Sequence, residues 1–402
     1  MAKLLFVNAA KNYGSTGKIV EQIGLLAMNN GWDAKIVNAA RFNRSGSIDS
    51  IFHGSVLSEN AHAFVSFLFD NQGLLSIQTT KRLVKAIDDF HPDLINLHNI
   101  HGYYLNYPLF FQYISSINTP IVWTLHDCWS FTGHCSFFDI VHCEKWKSGC
   151  HHCNNLANYP KSIFLDRSTQ NYQIKKGAFT SVKNLTLVPV SNWMGDLVKD
   201  SFLGHYPIHI IHNGIDLDVF RPRKNTLREK LSLENKFCIL GVSNNGFSGR
   251  KGFDDFIELS TLLPSSFQII MVGLHPDELK RIPSTIIGIN RTDSVEELAE
   301  YYSAADVFIN PTYSDNYPTT NLESIACGTP VITYNTGGSP EAINEKTGMV
   351  VPQGDVNALA SAIVSLKEHN LSSKKCREYA EMNFNKDNCF KEYLRLFESL
   401  LT

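Results

Sequence analysis

Short, fully apolar blocks alternate with stretches of helical period along the whole chain. The blocks at 4–8 (LLFVN), 34–39 (AKIVNA), 93–98 (DLINLH), 120–126 (PIVWTLH), 185–190 (LTLVPV) and 208–213 (IHIIHN) read as buried strands. Between them, Ser15–Asn29 and Leu74–Phe90 repeat their apolar positions at helical spacing. Strands that are apolar along their whole length are covered on both faces, as in a parallel sheet flanked by helices. The series then restarts with 237–243 (FCILGVS), 267–273 (FQIIMVG), 285–290 (TIIGIN), 306–311 (DVFINP) and 330–335 (PVITYN), interleaved with helical spans at Phe253–Leu263 and Val295–Ser303. The polar segment 214–236, which contains Pro222, separates the two series. The pattern predicts an α/β chain of two doubly wound domains, with substrate in the cleft between them, outside the carboxyl ends of the strands. The expected boundaries are 1–212 and 213–383, with a helix over 384–402 returning to the first domain. Residues 41–72 form a weakly periodic insertion, and 127–160 are dense in Cys, His and aromatic residues.

Composition narrows the function. Of 402 residues, 43% are hydrophobic and 19% charged, enough apolar material for full cores. A formal net charge of −3 argues against a dedicated nucleic-acid binder, which needs a basic face. No run reaches the 18 or so apolar residues of a membrane span. The start, MAKLLFVNAAKNYG, reads as a first strand and not as a signal peptide. The expected compartment is therefore cytoplasmic, with the inner face of a membrane as a place of contact, although no amphipathic anchor stands out in the sequence.

One segment carries most of the chemistry: SDNYPTTNLESIACGTPVI, residues 314–332. Tyr317 precedes Pro318 and is biased towards an extended backbone. A helix can start near Thr320 and run to Cys327, with Gly328 stopping it and Pro330 opening the next strand. Asp315 and Asn316 then lie on a loop at a strand's carboxyl end, and Glu323 lies in the first turn of the helix. The N–H groups around Thr319 to Asn321 would form a seat for a diphosphate. Thr320-x-x-Glu323 reads equally well as a capping box, which would give Glu323 a purely structural duty.

This segment resembles the acidic–seven–acidic motif of the retaining glycosyltransferases of family four, also called group 1, whose GT-B architecture sets two Rossmann-like domains facing each other. The resemblance implies that Asp315, at a position the family usually fills with Glu, contacts the transferred sugar, and that Glu323 binds the ribose of the nucleotide. Arg250 and Lys251 lie in a Gly-rich turn before a helix, within GVSNNGFSGRKGFDDF. Adjacent cations there suit a diphosphate leaving group, although a surface pair would look the same. The family places a Lys-Gly here, matching Lys251-Gly252, and an Arg six residues earlier, where this chain has Asn245; Arg250 is the candidate substitute. Tyr13-Gly14-Ser15-Thr16-Gly17-Lys18 is not a phosphate-binding P-loop, since Asn12 and Ile19 stand where Gly and Ser or Thr are required. It resembles the family's glycine turn, which makes Gly14 and Gly17 candidates for donor or acceptor contact. His126, before Asp127 at a strand end, matches the family His that meets the donor sugar, and His98 is a second candidate. Asn213-Gly-Ile-Asp216 matches a family signature and reads as structural.

The donor-side set is thus Gly14, Gly17, Arg250, Lys251, Asn316, Tyr317, Pro318, Thr319, Thr320 and Glu323, with His126 and Asp315 as the catalytic candidates. The implied partners are a nucleotide-diphosphate sugar and a glycan or lipid-linked acceptor, in bacterial polysaccharide assembly, with no catalytic cofactor. Alternatives on the same plan are a sugar-nucleotide epimerase, a phosphorylase, or a non-enzymatic two-domain sugar-binding protein.

Cys135, Cys143, Cys150 and Cys153 have seven, six and two residues between them. Only the last pair has knuckle spacing. A structural zinc held by these four is one reading; buried thiols or a disulfide are the others.

Overall fold

The computed structural model describes residues 1–402 apart from 225, 245 and 370, so position 245, where the family has Arg, lies outside the described residues. The chain divides into one unit of Met1–His212 with Phe390–Thr402, and another of Asn213–Cys389.

The first unit holds strands β1 (Lys3–Asn8), β2 (Asp33–Asn38), β3 (Asp49–His53), β4 (Leu94–Leu97), β5 (Ile121–Leu125) and β6 (Leu185–Pro189). Its helices are α1 (Gly14–Asn29), α2 (Val56–Phe69), α3 (Ile77–Phe90), α4 (Tyr107–Ile114), α5 (Ser168–Phe179) and α6 (Asn192–Asp200). Among the described residues the strands form one parallel sheet in the order β3-β2-β1-β4-β5-β6. Leu4 to Val7 and Ile121 to Leu125 are buried throughout, which is why they read as unbroken apolar blocks. Aromatic side chains fill the helix-covered face around β5: Phe179 lies 4.5 Å from Phe111 and 5.0 Å from Trp123, ring centre to ring centre.

The second unit repeats the plan with β7 (Phe237–Val242), β8 (Phe267–Val272), β9 (Ile286–Ile289), β10 (Val307–Asn310), β11 (Val331–Tyr334) and β12 (Gly348–Val351). Its helices are α7 (Leu227–Lys230), α8 (Phe253–Leu262), α9 (Pro276–Leu279), α10 (Val295–Ala304), α11 (Thr319–Ala326), α12 (Val356–Glu368) and α13 (Ser373–Asn383). The last helix, α14 (Lys386–Leu401), carries the chain back, and its residues from Phe390 onward group with the first unit. Among the described residues the second sheet runs β12-β11-β10-β7-β8-β9, and all its pairs are parallel. Counted from the first strand of each unit, both sheets follow the same 3-2-1-4-5-6 order, with the direction of winding reversing between β1 and β4 and again between β7 and β10.

Three expectations change. Residues 208–213 form no strand: the segment follows Pro207 alongside β6, with a bridge at Ile208 and bonds from His209 and Ile211 N–H to the Leu187 and Pro189 carbonyls. The insertion at 41–72 contains β3 and α2, and the sequence also concealed β12. Helix α11 begins at Thr319 with Pro318 as its cap and no side-chain cap bond, so Thr320 and Glu323 do not form a capping box. The Asn213–Asp216 signature is an anchor: Asp216 pairs with Lys386, and its carboxylate also accepts from the Asp218 and Val219 N–H groups.

Candidate active site

The richest cluster lies at the reversal point of the second sheet, where loops leave β7 and β10 side by side. After β7 the chain makes a short 3₁₀ turn, Gly249–Lys251, that presents two cations in succession. Gly252 ends the turn at φ +71°, and any Cβ there would collide with the Pro311 carbonyl, so the close approach of the two loops requires glycine. The Arg250 carbonyl accepts from Tyr313 N–H (2.7 Å) and the Thr312 hydroxyl (3.2 Å), locking this turn to the loop after β10.

That second loop delivers Asp315. Lys251 Nζ lies 2.6 Å and Arg250 3.3 Å from the same carboxylate oxygen, and Arg250 also donates to the Ser314 carbonyl at 2.6 Å. The other oxygen accepts from Asn316 N–H at 3.0 Å. Burial would raise the Asp315 carboxyl, but the charges of Lys251 and Arg250 outweigh it and carry the pKa down to about 2. Burial, with Arg250 alongside, lowers the Lys251 ammonium against the pull of Asp315. Two cations and one carboxylate leave the cluster with a net charge of +1. A third loop fixes the backbone: Gly338 N–H donates to the Asp315 carbonyl at 3.0 Å, and a side chain at Gly337 would strike that same carbonyl.

Asn316, Tyr317 and Pro318 are buried, while Thr319 and Thr320 are half-buried in the first turn of α11. The seat of N–H groups is narrower than the sequence suggested, because Asn321 N–H turns back to the Pro318 carbonyl (3.1 Å). Glu323 lies on α11, and one carboxylate oxygen accepts from the buried Tyr302 hydroxyl at 3.0 Å. The structure therefore joins Arg250, Lys251 and Asp315 directly, whereas Glu323 is positioned through Tyr302.

The first unit presents imidazoles. His98 ends β4 and His126 ends β5, with His98 Nδ1 2.9 Å from His126 Nε2. His98 Nε2 lies 2.9 Å from Asn96 Oδ1, and the Asn96 amide donates to the Val122 carbonyl at 3.0 Å. These contacts set the tautomers in turn: Asn96 accepts from His98 Nε2–H, so His98 Nδ1 accepts from His126 Nε2–H. Burial lowers the His126 pKa to about 4 and that of His98 well below its usual value, so both rings are neutral at pH 7. Next to them His101 Nε2 meets Asp127 at 2.9 Å, and the Asp127 carboxylate also accepts from Trp129 N–H. Gly14 opens α1, and Gly17 sits in its first turn, packed against Ala10 and Asn12.

Sequence reasoning did not single out Tyr302, Asn96, the Gly337–Gly338 clamp or Glu278. The Glu278 carboxylate gathers the N–H groups of Phe247 (2.9 Å) and Ser248 (2.6 Å), shaping the loop that leads into Arg250. His275 and Glu278 bracket a short capping box, which the sequence does not announce because His is not among the usual cap residues.

Cys135, Cys143, Cys150 and Cys153 do line one small cavity, together with Trp146 and Phe138. Among the described residues no group of three or more His, Cys, Asp or Glu side chains is placed to hold a metal ion. Instead Cys135 shares a hydrogen bond with Cys153, Cys150 Sγ accepts from Gly133 N–H at 3.1 Å, and burial pushes the Cys150 thiol up to about 11. The hydrogen bond from Cys135 lowers the Cys153 thiol to about 7, while Cys135 and Cys150 stay neutral and pack as small apolar groups.

Comparison with known proteins places the chain in a family. Residues 236–369 match the family described as Glycosyl transferases group 1, and residues 51–219 match Glycosyltransferase Family 4. The chain belongs to the group 1, family-four glycosyltransferases. It is 24% identical over 328 residues to an Escherichia coli K12 protein named as a colanic acid biosynthesis glycosyl transferase, WcaC, covering 77% of each chain. Sucrose-phosphate synthase from Thermosynechococcus elongatus superposes with a TM-score of 0.72 at 19% identity, over 100% of this chain and 99% of that one. HepE of Anabaena, solved with UDP-glucose, superposes with a TM-score of 0.68 at 14% identity, over 99% and 100%. These likenesses establish the GT-B fold of this glycosyltransferase.

Proposed function

We propose that this glycosyltransferase moves a hexose-type sugar, with retention of anomeric configuration, from a nucleotide-diphosphate donor to a glycan or lipid-linked acceptor in polysaccharide assembly. The observation that carries the reading is the half-buried cluster Arg250–Lys251–Asp315, net positive, at the reversal point of the second sheet. A diphosphate gains negative charge as the glycosyl bond breaks, and fixed cations that need no reorganisation stabilise that charge most. Arg250 and Lys251 would hold the diphosphate, with Asn316 to Thr320 shaping the wall beside it. Glu323, steadied by Tyr302, would take the ribose hydroxyls. Asp315 and the neutral His126 would meet the sugar, His126 as a hydrogen-bonding group and not as a cation. Support for the donor comes from HepE, whose structure holds UDP-glucose, and support for the setting comes from the colanic acid relative.

A thermal-shift screen of UDP, GDP and ADP with their sugars tests the reading. One nucleotide series is expected to stabilise the protein, and transfer from that donor should yield the donor's anomeric configuration by NMR. Undiminished transfer by a well-folded Glu323→Ala variant would overturn it.

A further inference from the structure

Helix α2 is inside out. Its buried positions are the polar ones: Glu59, His62 and Ser66, with Asp70 just past its end. Each charged or aromatic member of that row has partners inside. Glu59 accepts from the N–H groups of Ala40 (2.6 Å) and Arg41 (3.1 Å). His62 bonds the Ser76 hydroxyl (2.9 Å) and Gly73 N–H (3.0 Å), and Asp70 bonds His134 (2.6 Å) and Arg167 N–H (2.9 Å). The outward face is apolar. Leu57, Ala61, Phe64 and Leu68 follow one another at helical spacing, with Leu57 79% and Phe64 63% exposed. A surface helix in water places its residues the other way round.

A second segment extends this face. Ile163 N–H and Phe164 N–H donate to the Phe67 and Leu68 carbonyls at 3.0 and 3.3 Å, laying Ile163-Phe164-Leu165 against the last turn of α2. All three side chains are exposed, Phe164 by 69%. The result is a contiguous apolar surface built from two distant parts of the sequence, of the kind that marks an interaction site.

Charge at the rim points to the partner. Lys161 Nζ stands 5.8 Å from the centre of the Phe67 ring, and the Arg41 guanidinium bonds the Asn60 amide oxygen on the outward side of α2. The one acid within α2, Glu59, points inward. Asp166, which follows Leu165, is turned to the Cys153 and Ser168 N–H groups at 2.7 and 2.8 Å. We propose that α2 and the 163–165 segment form a docking surface for an anionic lipid bilayer, with aromatic and leucine side chains entering the headgroup boundary and Lys161 and Arg41 meeting lipid phosphates. A second copy of the chain fits less well, because the acids beside this face, Glu59 and Asp166, already accept from backbone N–H groups of their own chain. No helix among the described residues is long and apolar enough to cross a membrane, so the contact lies on the surface of the bilayer. The proposal does not depend on the sugar-transfer reading.

Co-sedimentation of the full-length chain with vesicles tests it, using phosphatidylcholine alone and phosphatidylcholine mixed with phosphatidylglycerol. The wild type is expected to bind the anionic vesicles, less so at high salt. The double variant Phe64→Asp with Phe164→Asp is expected to lose about a hundredfold in partitioning, since two exposed aromatic side chains that would enter the bilayer are replaced by charges. Lys161→Ala should lose about fivefold on anionic vesicles only. Because the altered residues point outward, thermal melts of the variants should match or exceed the wild type. A wild type that stays in solution with both vesicle types overturns the proposal, as does a double variant that binds as well as wild type. A concentration-dependent dimer in vesicle-free buffer that the double variant dissolves would overturn it in favour of a second copy.

Discussion

Removing Asp315 exposes the energetics of the charged cluster directly. Its carboxyl is held at a pKa of about 2 against 3.8 for an ordinary aspartate, and the side chain is 16% exposed, so solvent screens the interaction little. At about 1.4 kcal/mol per pKa unit, the difference corresponds to roughly 2 kcal/mol of net favourable interaction, after the adverse effect of burial. Because the folded pKa lies below the unfolded one, this contribution is fully present above pH 3.8 and is lost as the pH falls towards 2. Asp315→Ala should cost more than the pair is worth, about 3 kcal/mol, because it strands Lys251 as a half-buried cation. A cycle of Asp315→Ala, Lys251→Ala and the double variant, followed by urea unfolding at pH 7, should give a coupling of roughly 1–2 kcal/mol, with Arg250 supplying the remainder. Repeating the unfolding between pH 5 and 2 should show a shallower acid limb in the double variant. Coupling below about 0.5 kcal/mol, or an unchanged acid limb, would refute the argument that these charges compensate one another.

Other outcomes follow from the same geometry. Glu323→Ala should raise the nucleotide Kd by about 10- to 100-fold in calorimetry, and Tyr302→Phe by less than tenfold, since the phenol only positions the carboxylate. The neutral His98–His126 pair opposes acid: unfolded histidines take up protons near pH 6.5, while folded His126 waits until about 4. Stability should therefore fall as the pH drops through that window, by up to about 3 kcal/mol for His126, and His126→Gln should flatten the slope in urea melts. Gly252→Ala should lower stability by more than about 2 kcal/mol and depress nucleotide binding, because the turn bearing Arg250 and Lys251 must move off Pro311; an unchanged melt would sink this account.

The buried strands were legible because a strand covered on both faces needs apolar residues at every position, as Leu4 to Val7 show. Strand β3 was missed because it lies at a sheet edge, where residues such as Asp49 face outward and the apolar run breaks; β12 was missed although its four residues, Gly348–Val351, are all apolar, because so short a run does not stand out. Asp315, Arg250 and Lys251 were legible as separate motifs, since each lies where a loop leaves a central strand. That one carboxylate oxygen serves both cations was not, because the contact spans 64 residues and depends on Gly252 and Gly337 having no side chain. The capping-box reading of Thr320 and Glu323 failed because Pro318, at its restricted φ, starts the helix one residue early. The cysteine spacing showed that four thiols could meet but not whether they converge. The face of α2 was invisible for a different reason: its polar residues also recur at helical spacing, and only the fold reveals which side is buried.

The two sheets share a strand order but not a kind of chemistry. The reversal point of the second carries fixed ions, whereas β4 and β5 of the first end in imidazoles kept uncharged. Ionic strength weakens the former, and acid near pH 4 protonates His126 while Asp315 keeps its charge. Under the proposed function, salt and pH are therefore separate handles: salt would slow capture of a charged donor at the second unit, and acid would disable neutral hydrogen bonding at the first. An enzyme arranged this way would let a kineticist separate the two contributions without altering a single residue.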